Sequence, residues 1–127
     1  MQRKLRFSHV PGSFAICRLP AKSVVPTWAL RGEFFSATSS ADEVSIVCPD
    51  AQVPAGIVYE GEWACLKLQG PFPFSETGIL SSFIQPLAEH AIPIFAVSTF
   101  ETDYVLVKHA WVEQAVAALR TAGHQEV

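Results

Sequence analysis

Apolar and polar positions change their period along this chain, and the changes mark out elements. Residues 14–19 are a short apolar run bounded by Pro11-Gly12 before it and Pro20 after it, which reads as a strand. Val24, Val25, Trp28 and Ala29 recur at i, i+1, i+4 and i+5, one stripe of a short helix that Pro26 limits to an early-turn start or a kink. Residues 34–38 and 44–48 predict two strands around Ser39-Ser40-Ala41-Asp42, a hairpin-loop composition. Pro49, Asp50, Pro54 and Gly56 then break the chain, so a second helix is expected to be short or absent, and 57–59 is a weak strand.

The second half has clearer periods. Residues 63–68 predict a strand, and a rigid, turn-rich loop follows over 70–78. Ile79, Leu80, Phe83, Ile84, Leu87, Ala88 and Ala91 fall on one helical face, with Ser81, Ser82, Gln85, Glu89 and His90 on the other. Pro86 lies inside this helix, removes one backbone donor and predicts a kink. Residues 93–99 and 104–108 are β-rich around Phe100-Glu101-Thr102-Asp103. Trp111, Val112, Ala115, Val116 and Leu119 give a second amphipathic helix, with Gly123 closing it.

The order β-α-β-β-(α)-β followed by β-α-β-β-α predicts an α+β chain. It is expected to hold two tandem ferredoxin-like βαββαβ subdomains, with antiparallel sheets and helices on one face. The last strand is short or cut off at Val127. The expected boundaries are an N-terminal arm over 1–11, an abbreviated first subdomain over 12–60 and a second over 61–127. Each half is too small to bury much alone, so a shared interface is expected.

Composition narrows the function. Half of the 127 residues are hydrophobic and 17% are charged, which excludes intrinsic disorder. The net charge is −3, which argues against a phosphate-backbone partner. Arg3, Lys4 and Arg6 form one basic cluster, expected on a frayed, solvated arm. Cys17, Cys48 and Cys65 are widely spaced among apolar neighbours with no CxxC pair, so they read as buried core thiols of a reducing compartment. Residues 1–20 lack the apolar stretch of a signal peptide, and no apolar run reaches membrane-spanning length. A cytoplasmic protein with no membrane association and no nucleic-acid partner is expected. His9, His90, His109 and His124 have no metal-ligand spacing, and no Walker loop, GxSxG or GxGxxG is present. No catalytic set, cofactor or metal is therefore expected, and the chain does not read as an enzyme.

Ser75-Glu76-Thr77-Gly78-Ile79-Leu80-Ser81-Ser82, followed by the run from Pro93 through Thr99-Phe100-Glu101-Thr102-Asp103 to Val107, resembles the ACT domain. More narrowly it is similar to the CASTOR-type ACT family, which includes eukaryotic cytosolic arginine sensors and small bacterial proteins, and to the regulatory ACT domains of aspartate kinases. The resemblance covers 56–110 well and is only topological over 12–50. It implies an allosteric, amino-acid-binding module. The ligand would sit between ACT units, touched by Glu76, Gly78 and Ile79 on one side and by Thr99, Phe100 and Asp103 on the other. The arginine sensors carry more ACT units than the two expected here, so ligand identity does not carry over. A basic amino acid such as arginine or lysine is suggested by the acidic residues alone. The resemblance also implies a homodimer and a regulated protein partner.

Elementary chemistry fits this set. Amides at a helix N-terminus suit a carboxylate, and Gly78 presents no Cβ to a close ligand. Glu76 and Asp103 offer acceptors to a cation. Each residue also has a plainer role. Gly78 can serve the turn alone, with Ser75 or Thr77 as N-cap, and Asp103 can serve the turn through its own backbone. Thr99 is an ordinary strand residue and Glu76 an ordinary first-turn charge. An ACT-like structural or interaction domain without a ligand is therefore the alternative.

Overall fold

Seven strands and two helices follow one another in a computed structural model that describes residues 3–127: β1 (Arg6–Pro20), β2 (Ser36–Ser39), β3 (Glu43–Pro49), β4 (Val58–Leu68), α1 (Ile79–Glu89), β5 (Phe95–Ser98), β6 (Asp103–Lys108), α2 (Val112–Thr121) and β7 (Gln125–Glu126). They form two compact units, one of Val10–Trp63 and one of Met1–His9 with Ala64–Val127. The chain crosses from one to the other inside β1 and again inside β4.

In the Val10–Trp63 unit β3 lies between β2 and β1, antiparallel to both, with Cys17 opposite Ile46 and Thr38 opposite Ser45. Strand period two puts Ala15, Cys17 and Leu19 of β1 on the same face as Val44, Ile46 and Cys48 of β3. These residues form the unit's buried cluster with Ala29. Ser40 closes the β2–β3 hairpin, its hydroxyl accepting the amides of Asp42 at 3.2 Å and Glu43 at 3.3 Å. The helix expected over 24–29 is corrected to one 3-10 turn, Thr27–Ala29. Pro26 stands before it in extended conformation (ψ 153°), and a proline biases the residue before it, Val25, away from helical backbone. Val24 is left 89% exposed. A second 3-10 turn, Asp50–Gln52, occupies the place where a short helix or none was expected. Asp50 binds two neighbours: its Oδ2 accepts the Ser13 hydroxyl at 2.6 Å and the Glu62 amide at 3.3 Å. Glu62 has a positive φ of 63°, a left-handed residue inside β4.

In the other unit the strands run β7-β1-β4-β6-β5, with β5 and β6 antiparallel and β7 parallel to the start of β1. Leu5 and Phe7, Leu66 and Leu68, and Val105 and Val107 point to one face, where Phe83 and Leu87 of α1 and Ala115 and Leu119 of α2 cover them. This is an α+β layer with both helices on one side of a mainly antiparallel sheet. The arm expected over 1–11 is corrected for its described part: β1 begins at Arg6, and Phe7 is fully buried against the Phe83 ring, centroids 5.4 Å apart. Met1 and Gln2 lie outside the described residues. Lys4 and Arg6 alternate with Leu5 and Phe7, and the two apolar residues have strand period and are buried in the core.

α1 continues through Pro86, and its buried face includes Ser82, which the helical period had placed on the solvent side. Ser82 takes its place there by hydrogen bonding. Its hydroxyl accepts the Arg3 amide at 3.2 Å, and its carbonyl lies 3.0 Å from Nε2 of His124. His124, expected near an open terminus, is buried, and its Nδ1 accepts the Leu5 amide at 3.0 Å. Accepting at Nδ1 fixes the neutral tautomer with the proton on Nε2, donated to Ser82. Both helices end in Schellman motifs. His124 N–H reaches Leu119 O at 3.0 Å around Gly123, and Ile92 N–H reaches Leu87 O at 3.0 Å around Ala91. Among the described residues no helix is long and apolar enough to cross a membrane.

Candidate functional site

Two loops of the Ala64–Val127 segment build a cavity of about 200 Å³ at the start of α1. The loop after β4 turns at Gly70, where a Cβ would lie 2.8 Å from the Glu101 carbonyl oxygen, so only glycine allows the approach. The β5–β6 loop closes on it. Phe72 N–H donates to Glu101 O at 2.8 Å, and the buried Thr102 hydroxyl donates to Leu68 O at 2.8 Å. Phe74 and Phe100, 77% and 79% exposed, stand edge to face at the rim with centroids 4.9 Å apart.

Five of the six residues expected at the site line this cavity: Glu76, Ile79, Thr99, Phe100 and Asp103. Gly78 does not. It is the N-cap of α1 at φ 80°, with no side-chain cap bond, so neither Ser75 nor Thr77 caps the helix. The first helical bond runs from Ser82 N–H to Gly78 O at 3.0 Å, which puts the Ile79, Leu80 and Ser81 amides ahead of the helical ladder. Thr99 is committed to its own loop. Its hydroxyl donates to Thr102 O at 3.0 Å, and its amide donates to the same oxygen at 2.8 Å. Asp103 pairs across the strands with Ser98, whose hydroxyl donates to Oδ1 at 2.5 Å. Glu76 is already in an ion pair with the Arg3 guanidinium.

Phe72, Pro73, Phe74, Ser98, Glu101 and Thr102, none of them among the residues expected at the site, also line the cavity. Their signal was present in two forms. Aromatic residues alternate with proline through the 70–74 loop, and Glu101 and Thr102 sit within the block that carried the ACT resemblance. Arg3 gave no signal, because its partner is 73 positions away in sequence. Three carboxylates (Glu76, Glu101 and Asp103), three phenyl rings and the front of a helix surround one space. Carboxylates and ring faces attract a cation, and helix amides attract an anion, so the set complements a small molecule that carries both charges. Among the described residues no group of three or more His, Cys, Asp or Glu could hold a metal ion.

The three thiols lie elsewhere and are unreactive in character. Cys48 is pushed up to about 12 by burial first, then by Cys17 and Asp50 beside it. Cys65 is pushed up to about 12 by burial, and burial also raises Cys17.

The ACT-domain family profile matches residues 58–121, which includes the whole cavity, and a second profile, that of an N-terminal domain, matches 12–56. Human CASTOR3P is 31% identical over 90 residues, 61% of this chain and 55% of that protein. The bovine cytosolic arginine sensor for mTORC1 subunit 1 is 29% identical over 89 residues, 61% of this chain and 27% of that protein. The chain thus spans about half of one curated relative and about a quarter of the other. A solved structure from Agrobacterium tumefaciens is 41% identical, covers 98% of this chain and 93% of its own, and superposes with a TM-score of 0.93. Clostridium acetobutylicum aspartate kinase shares the fold at a TM-score of 0.65 and 16% identity, over 92% of this chain and 33% of the kinase.

Proposed function

The chain belongs to the ACT-domain family, and on that premise we propose that it is a regulatory module that binds an amino acid and couples binding to association with itself or a partner protein. The observation that carries the reading is the cavity, where Glu76, Ile79, Thr99, Phe100 and Asp103 meet although the sequence separates them by up to 27 positions. The bovine relative's description as an arginine sensor supports the ligand class. In this reading the chain holds two tandem ACT-like halves, an abbreviated first over 12–60 and a second over 61–127. Asp103 holds the α-ammonium, and the helix amides from Ile79 onward hold the carboxylate. Coupling to association requires that the ligand bind the two states with different affinity.

The test is a thermal-shift screen of the protein against the common amino acids, followed by calorimetry of wild type and Asp103→Asn. Ligand at about a hundred times its Kd stabilises wild type by roughly 2.7 kcal/mol. Asp103→Asn keeps the turn chemistry and removes the charge, so affinity falls about thirty-fold, near 2 kcal/mol, because the carboxylate is only partly buried. Equal affinity in both proteins would return Asp103 to a turn former. One observation favours the alternative, an interaction domain with no ligand: Phe74 and Phe100 are large, apolar, adjacent and mostly exposed. A blank screen with intact folding would move the reading there.

A further inference from the structure

The geometry points to Arg3 as a tethered competitor that sets the charge selectivity of the cavity. Glu76 is one of three carboxylates lining it, and the Arg3 guanidinium already pairs with Glu76. Arg3 is not a loose tail residue. Its amide is held by the Ser82 hydroxyl at 3.2 Å, one turn into α1, and two residues on the Leu5 amide is held by His124 at 3.0 Å. These two anchors keep the guanidinium within reach of Glu76 at an effective concentration that a free ligand must exceed. The Arg3 side chain is nonetheless about half exposed, and that of Glu76 about a quarter, so the pair can be exchanged rather than being sealed.

The consequence is a discrimination between ligands. This inference rests on the reading of the cavity as an amino-acid site with the α-ammonium on Asp103. A ligand whose side chain is neutral then uses Asp103 and the helix amides and leaves the Arg3–Glu76 pair intact. A ligand whose side chain ends in a cation gains Glu76 only by displacing Arg3, and exchanging one guanidinium for another returns little net energy. Arg3 therefore biases the site toward neutral side chains although three carboxylates surround it.

The test is calorimetry on the full chain with L-arginine and L-methionine as probes, comparing wild type, Arg3→Gln and Arg3→Lys. Freeing Glu76 in Arg3→Gln raises the affinity for L-arginine by about two- to fivefold, the worth of a half-exposed ion pair. The affinity for L-methionine stays the same, so the arginine-to-methionine ratio rises. Arg3→Lys restores the wild-type ratio, because it restores the competing charge. A merely structural Arg3 would move both probes together. An unchanged or lower ratio in Arg3→Gln, with binding present, overturns this inference and leaves the amino-acid reading standing. Absence of binding by either probe to any of the folded proteins overturns both.

Discussion

Burial has fixed the chemistry of individual side chains, and two residues show it most directly. The Cys48 and Cys65 thiols are pushed up from the ordinary value of 9.0 to about 12. Below pH 9 they are protonated in both the folded and the unfolded chain and contribute no pH dependence. Between pH 9 and 12 the unfolded chain ionises while the folded one does not, so stability falls as pH rises, by up to about 1.4 kcal/mol per unit per thiol. Urea unfolding at pH 8, 10 and 11 is expected to show this loss, and Cys65→Ala to make it shallower. At neutral pH the same substitution costs about 1–3 kcal/mol and leaves ligand binding intact. Ala91 is the opposite kind of residue, an L-amino acid held at φ 54° to close the α1 Schellman motif. That conformation costs roughly 1–2 kcal/mol, and glycine avoids it at the expense of a freer unfolded chain. Ala91→Gly is expected to stabilise by about 0.5–1 kcal/mol, seen as a higher urea midpoint with an unchanged slope.

Among elements, legibility followed the range of the interactions that decide each one. β3, α1, β6 and α2 were readable because their periods are local and strong. The 24–29 stripe had helical spacing but too few residues to offset nucleation past Pro26, and it folded as a 3-10 turn. Ser82 and His124 could not be placed from sequence, since each is buried only because the other and the Arg3–Leu5 backbone satisfy it. The same holds at the cavity. Five of the six residues that the ACT-like blocks point to line the cavity, while the aromatic loop over 70–74 joins them through a long-range contact to Glu101. That contact makes a prediction. Gly70→Ala places a methyl group 2.8 Å from the Glu101 carbonyl and forces the two loops apart. The protein is expected to stay folded with a melting temperature a few degrees lower, and amino-acid affinity to fall at least tenfold, measured by calorimetry.

At the scale of the whole molecule, the chain's order and the fold's order differ. One unit is contiguous, and the other is assembled from both ends of the sequence. Removing residues 1–9 takes away Leu5 and Phe7, two members of one core, together with the partner of β7. A buried Phe alone is worth about 3–5 kcal/mol, a large share of a small domain's stability. The truncated chain is expected to lose cooperative melting of the Ala64–Val127 segment by circular dichroism, whereas a dispensable arm would leave the melt unchanged. In the described sheet β2 and β5 each have a neighbour on one side only. Open edges favour pairing with a second copy, which is the basis for expecting a homodimer. Light scattering at micromolar concentration is expected to give twice the chain mass of 13.9 kDa, and a monomer across that range would remove the expectation.

The pairing of β1 with β7 also governs how long the native fold persists once it is reached. The Leu5–His124 hydrogen bond joins residues 119 positions apart, and the parallel pairing of Arg6 with Gln125 closes a loop of the same size. Such a closure is entropically among the most demanding in the chain, so it is expected to form late, after pairings of shorter range. The contiguous Val10–Trp63 unit can form first and shorten the tether that the closure must span. Mutations at the β1–β7 contact should then act after the rate-limiting barrier. Phe7→Leu is expected to speed unfolding and leave the folding rate nearly unchanged in stopped-flow measurements, which makes the two ends of the sequence the clasp that sets the lifetime of the native state.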